Sequence, residues 1–141
     1  MTGEQIRLVR VTWLEVAPIA DTAARLFYGR LFESDPEIRR LFAHTDMGQQ
    51  NLKLLRTMTV AVGALDKLDT IRPALENLGR RHVGYGVEER HYDLVGAALL
   101  WTLQEGLGDR YTAAVREAWT AAYSTLAAIM REAAATEERA A

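Results

Sequence analysis

Apolar side chains in this chain recur every three or four residues from Ile6 to Ile129, and no segment shows the strict alternation of a half-buried strand. That period commits the chain to packed helices. Thr2-Gly-Glu-Gln5 has the form of a capping box, and Ile6, Val9, Trp13 and Val16 follow on one face. Pro18 breaks this helix; a second starts near Ile19, with Ala23, Leu26, Phe27 and Arg30 along its first turns. Ser34-Asp35-Pro36 is a restart signal, a capping side chain followed by proline at the first helical position, and opens a short helix with Ile38, Leu41 and Phe42. Ala43 to Gly48 reads as a polar loop, after which Leu54, Leu55, Met58, Val62 and Leu65 point inward from a long helix. Asp69-Thr70 is expected to cap the helix that leads to His82, with Pro73 in its first turn and Gly84 and Gly86 ending it. Glu88 to Leu107 puts Tyr92, Val95, Leu99 and Leu103 on one face, and Gly106 and Gly108 stop it. Thr112 caps the last helix, with Val115, Trp119, Ala122, Leu126 and Ile129 or Met130 inward, and the Ala/Glu-rich tail over 133–141 is expected to fray. Seven or eight helices of unequal length, joined by short loops, do not suit a simple four-helix bundle. They predict a single domain over 1–141 with an orthogonally packed all-α fold.

The function classes narrow quickly. A chain of 141 residues that is 49% hydrophobic can bury one real core. Its net charge of −2, with both signs interspersed, offers nothing to attract nucleic acid or a membrane surface. No apolar run approaches a membrane span and the amino terminus lacks a signal-peptide pattern, so the expectation is a cytoplasmic protein without membrane insertion. Cysteine is absent. That excludes disulfides, thiolate zinc sites, iron–sulfur clusters, a cysteine nucleophile and haem attached through Cys-x-x-Cys-His. Any metal must be held by nitrogen or oxygen donors, or by Met. Hydrolytic and nucleotide-binding templates such as Gly-x-Ser-x-Gly, His-Glu-x-x-His and the phosphate-cradling Gly-rich loop are missing.

Of the three histidines, His82 stands out because Leu75, Leu78 and His82 recur at i, i+3 and i+7. That spacing places the imidazole on the apolar face of a helix, where its nitrogens lose water and need partners. A core hydrogen bond and a metal are the two explanations, and the local pattern by itself favours the first. His44 and His91 read as surface residues.

The stretch Leu78-Gly-Arg-Arg-His82-Val-Gly-Tyr-Gly-Val-Glu-Glu-Arg-His-Tyr92-Asp-Leu-Val95-Gly96 resembles the proximal-helix segment of bacterial single-domain haemoglobins, a pattern shared with the haem domain of flavohaemoglobins. Leu26-Phe27-Tyr28, Pro36…Leu41-Phe42 and Ala118-Trp119…Tyr123 extend the resemblance over nearly the whole chain. It implies a globin fold of seven to eight helices around one non-covalently bound haem b and its iron. His82 then matches the proximal histidine that binds the iron, and Phe42 the aromatic wedged against the porphyrin. Tyr28 matches the distal tyrosine. Gln50 and Leu54 match the polar and apolar residues above the iron, with Gln49 competing with Gln50. Lys53, one turn along, could pair with a haem propionate. Tyr92 lies ten residues after His82 and Glu132 fifty after it, spacings at which flavohaemoglobin-type domains form a proximal network with the histidine. A carboxylate accepting the far N–H of an iron-bound imidazole would make it a stronger electron donor.

The resemblance implies O2 binding at ferrous iron, with NO dioxygenation as the associated enzymatic activity and O2, NO and other small haem ligands as partners. Flavohaemoglobins carry attached FAD and NAD(P)H domains with no counterpart in these residues, so a separate flavin reductase is expected. Storage or delivery of O2 by a non-enzymatic carrier is the alternative, ahead of a gas or redox sensor. The expected assembly is a monomer or weak homodimer.

Overall fold

In a computed structural model, which describes residues 1–140, side-chain caps decide where most helices begin. The helices are α1 (Gly3–Val16), α2 (Ala20–Ser34), α3 (Pro36–Leu41), α4 (Met47–Gly63), α5 (Arg72–Gly84), α6 (Glu89–Leu107) and α7 (Ala113–Ala140), with one-turn 3₁₀ segments at Ala17–Ile19, Leu68–Thr70 and Gly108–Arg110. There is no strand among the described residues. Thr2 and Gln5 form the expected reciprocal box at α1. Asp35 accepts from the Glu37 N–H with Pro36 at the first helical position of α3, and Thr112 accepts from the Val115 N–H at α7.

Two expectations are corrected. The loop after α3 ends before Gly48, because Asp46 accepts from the Gln49 N–H and starts α4 at Met47. Asp69 and Thr70 do not cap α5: they lie in the 3₁₀ turn, where the Thr70 hydroxyl donates to the Lys67 carbonyl, and α5 begins after Ile71 without a side-chain cap. The tail expected to fray over 133–141 is helical as far as it is described, Ala141 lying outside the described residues. α7 continues to Ala140, and Ala133 and Ala134 are buried, so small side chains supply contacts that an Ala/Glu composition conceals.

Two apolar clusters divide the interior. In the larger, Trp13 of α1 and Trp119 of α7 meet at a ring separation of 6.1 Å among Val9, Val16, Val62, Leu65, Leu103 and Val115. The Trp119 indole N–H donates to the buried Thr12 hydroxyl at 2.8 Å, which donates in turn to the Leu8 carbonyl, so no polar group of this pair is left dry and unpaired. The smaller cluster is aromatic. Phe27, Tyr28, Leu31, Ile38 and Ala98 form its buried part, with Phe42, Met47, Leu54, Leu94 and Val95 half-buried against it. α2 and α6 pack together here, while α5 lies along α7.

Gly79 is what lets α5 approach α7. A Cβ at this position would sit 2.4 Å from the Met130 carbonyl oxygen and 2.8 Å from its Cα, both main-chain atoms that cannot step aside. Gly79→Ala is therefore expected to lower stability by about 2 kcal/mol through overpacking, read as a drop in the urea midpoint. Gly29, inside α2 with open space around its Cβ position, is the control. Gly29→Ala should raise stability by roughly 0.5–1 kcal/mol by reducing unfolded-chain entropy.

Candidate functional site

The aromatic cluster surrounds one hydroxyl. Tyr28, buried on α2, has Phe27 edge-on at 5.0 Å and Phe42 edge-on at 5.5 Å, with Phe32 at 6.0 Å. The Gln50 side-chain amide, from the first turns of α4, donates to the Tyr28 oxygen at 3.0 Å. Because that oxygen accepts from Gln50, its own proton remains available to a third group. Burial pushes the Tyr28 phenol above its usual range, which the Gln50 bond only partly offsets, so it stays protonated at neutral pH. Gln50 is half-buried here, whereas Gln49 is exposed. Leu54, one turn along α4, packs against the cluster, and Lys53 points to solvent.

On α5, His82 is half-buried and its Nδ1 lies 2.7 Å from the Leu78 carbonyl oxygen one turn back. A carbonyl only accepts, so Nδ1 carries the proton and Nε2 keeps a lone pair. Desolvation holds the His82 pKa below the usual imidazole range, with the Arg81 charge adding to the effect and the Leu78 bond opposing it. The outcome is a neutral ring anchored through one nitrogen and offering the other. The turn that follows uses Gly86 at φ +90°, where a side chain would be strained and would meet Leu41 at 3.1 Å. That approach sets the α3 corner bearing Phe42 beside the end of the His82 helix.

Tyr92 is buried on α6, and its hydroxyl has no hydrogen-bond partner. The Arg131 guanidinium lies over its ring at 5.2 Å. Glu132 is exposed on α7, and the structure does not bring its carboxylate to His82; the Leu78 carbonyl holds the ring instead.

A model of the globin family matches residues 25–130. The chain belongs to the globin family. This globin is 32% identical over 143 residues to a flavohemoprotein of Vibrio cholerae, across 99% of its own length and 36% of that protein, so it spans about a third of the flavohemoproteins it matches. It is equally 32% identical to a neuroglobin of Tetraodon nigroviridis, over 92% of this chain and 90% of the other. A bacterial globin of Campylobacter jejuni superposes with a TM-score of 0.85 at 26% identity, covering 96% of this chain and 97% of that one. The architecture is the globin fold, and membership makes the protein a haem-dependent binder of small gases.

The residues fit a haem. Among the described residues no three His, Asp or Glu side chains converge on a metal position, so an iron held here would take its other ligands from a prosthetic group. His82 presents the neutral, single-lone-pair state that axial ligation needs, with a carbonyl fixing its tautomer. No helix of the described residues is long and apolar enough to cross a membrane.

Sequence reasoning missed three features. His91 is buried rather than superficial: it occupies the third position of α6, where its Nδ1 accepts from the Glu88 N–H at 2.9 Å and completes a capping box. Arg90 clamps the start of α6 to α3 through Asp35 and Glu37. The Leu78 carbonyl had an available signal, since a helical histidine in a suitable rotamer reaches the carbonyl four residues back. Burial raises the pKa of Tyr28, Tyr92, Tyr111 and Tyr123 above the ordinary phenol value of 10.0. The folded chain thus retains protons that the unfolded chain releases near pH 10, and the associated stability is present below that pH and lost as pH rises through it. The urea midpoint should fall on alkaline titration, and Tyr28→Phe should make that fall shallower; a flat profile across pH 10 would refute the assignment.

Proposed function

We propose that this globin is a nitric oxide dioxygenase that binds O2 and is kept reduced by a separate flavin reductase. When bound, the haem supplies a ferrous iron that takes O2 and the redox chemistry that turns NO into nitrate. The protein's part is orientation and hydrogen bonding. His82 would hold the iron through Nε2, while its Nδ1–H to Leu78 fixes the ring. Phe42 and Leu54 offer apolar surface to a porphyrin and exclude water, and Lys53 is free of ion pairs among the described residues and long enough to meet a propionate.

The observation that carries the reading is the Gln50–Tyr28 bond. It leaves the Tyr28 hydroxyl polarised and ready to donate to a negatively charged ligand on the distal side, and a donor bond to a charged group is worth about 1.5–3 kcal/mol. Gln50 positions that donor. Tyr92 is assigned the support of the proximal side, a reading favoured by its buried and unpartnered hydroxyl.

One observation favours a second reading, O2 storage or delivery. His82 is held by a neutral carbonyl and Glu132 is exposed, so the imidazole is a weaker electron donor than one backed by a carboxylate.

Titration with hemin should give a Soret band, and His82→Ala should abolish or scramble the ferrous spectrum. Tyr28→Phe should speed O2 release by about ten- to a hundred-fold; an unchanged rate would leave the carrier reading and remove the dioxygenase. Glu132→Ala separates the proximal alternatives: an unchanged iron–histidine stretching frequency means Leu78 is the sole partner, and a lower one restores Glu132 to the network.

A further inference from the structure

Charge in this globin is segregated along the chain. Residues 36–84, from α3 to the end of α5, hold eight basic and five acidic side chains, while the remainder holds nine and fourteen. Pairing sharpens the contrast. Every charge on α1 is compensated, Glu4 with Arg7, Arg10 with Asp66 and Glu15 with Arg110. α4 contains no acidic residue at all, and its two cations, Lys53 and Arg56, have no ion-pair partner among the described residues.

Of the seven exposed large hydrophobic residues among the described residues, four lie on α1 and α4, the others being Met1, Ile19 and Tyr85. Leu52 and Val60 on α4 are 52% and 60% exposed, and Val11 and Leu14 on α1 are 41% and 71% exposed. No large hydrophobic residue of α6 or α7 is comparably exposed among the described residues. Leu52, Arg56 and Val60 follow at i, i+4 and i+8 and so form one outward stripe. α1 packs beside it, since the Trp13 indole donates to Thr59 and the Arg10 guanidinium to the Val62 and Gly63 carbonyls.

An apolar stripe that carries an unpaired cation, Arg56, is the composition of a docking surface for an acidic protein: the apolar part excludes water and the charge steers and orients. Nucleic acid fits poorly, because half of this face is apolar (Leu52, Val60, Val11 and Leu14), which a protein surface can cover and a phosphate backbone cannot. The inner face of α4 carries Gln50 and Leu54, so a partner on the outer face stands one helix diameter, about 10 Å, from the site.

We propose that the outward face of α4, centred on Leu52, Arg56 and Val60, docks an acidic flavoprotein that reduces this globin. The proposal rests on the reading that a separate reductase keeps the iron ferrous. One electron leaves the reduced flavin and converts ferric to ferrous iron; no covalent bond forms or breaks.

The test is a titration of the ¹⁵N-labelled, haem-loaded protein with an oxidised flavodoxin, used as a small acidic FMN protein, at an ionic strength of about 0.02 M. Amide shifts should concentrate on Leu52, Arg56, Val60 and Leu14. Arg56→Glu should weaken binding about tenfold, Leu52→Ser should weaken it without altering charge, and raising the salt should do likewise. The Soret band and the O2 release rate should be unchanged in both variants. Absent binding at low salt, shifts on α6 or α7, or indifference to Arg56→Glu would overturn the docking face while leaving gas binding intact. Loss of O2 binding in the unmodified protein would strike the functional reading instead. Concentration-dependent sedimentation abolished by Arg56→Glu would assign the face to a second copy of this chain and overturn the proposal.

Discussion

The approach of α5 to α7 governs this molecule. At Gly79 one helix rests on the main chain of the other, at Met130, with no side chain between them. His82 follows three residues later and Leu78 is the residue before Gly79, so the imidazole and the carbonyl that anchors it ride on the same contact. Packing therefore reaches directly into chemistry. The closeness of two backbones sets where a ring stands, the ring's hydrogen bond sets its tautomer, and the tautomer leaves the lone pair on the nitrogen facing away from its own helix.

The two apolar clusters divide the work. Around Trp13 and Trp119 the side chains are closed off and the buried polar atoms satisfied, as befits a core whose role is to hold α1 against α7. Around Tyr28 the packing is aromatic and incomplete: Phe42, Met47, Leu54, Leu94 and Val95 keep part of their surface. Those side chains come from the α3 corner, α4 and α6, while α5 supplies His82. Apolar surface left half-covered on these elements is what a flat, largely apolar prosthetic group would complete.

What could be read from the residues followed from how local each cause is. Thr2, Asp35 and Thr112 act on amides two or three positions away, and those helix starts were legible. α5 starts without a side-chain cap, so Asp69-Thr70 misled; the turn it closes is 3₁₀ and serves Lys67. His91 looked superficial because its charge class suggested solvent, yet capping geometry turned it inward. Tyr28 and Gln50 are 22 residues apart, and no periodicity joins them; the resemblance to bacterial haemoglobins did, and the same resemblance set Glu132 beside His82, where the structure does not bring it. The globin fold itself was legible because helix period, breakers and the Leu78–Gly96 stretch all agreed.

The Arg90 clamp gives the molecule two kinds of stiffness. Asp35, Glu37 and Glu88 hold Arg90 at a half-exposed position, joining the Phe42 corner to α6 by charge. Mobile ions weaken such a tether, whereas they leave the tryptophan cluster untouched. The join between the α3 corner and α6 thus responds to ionic strength, while the tryptophan cluster responds to temperature and denaturant. A change in salt content would loosen the hold of α6 on the Phe42 corner without loosening the tryptophan core.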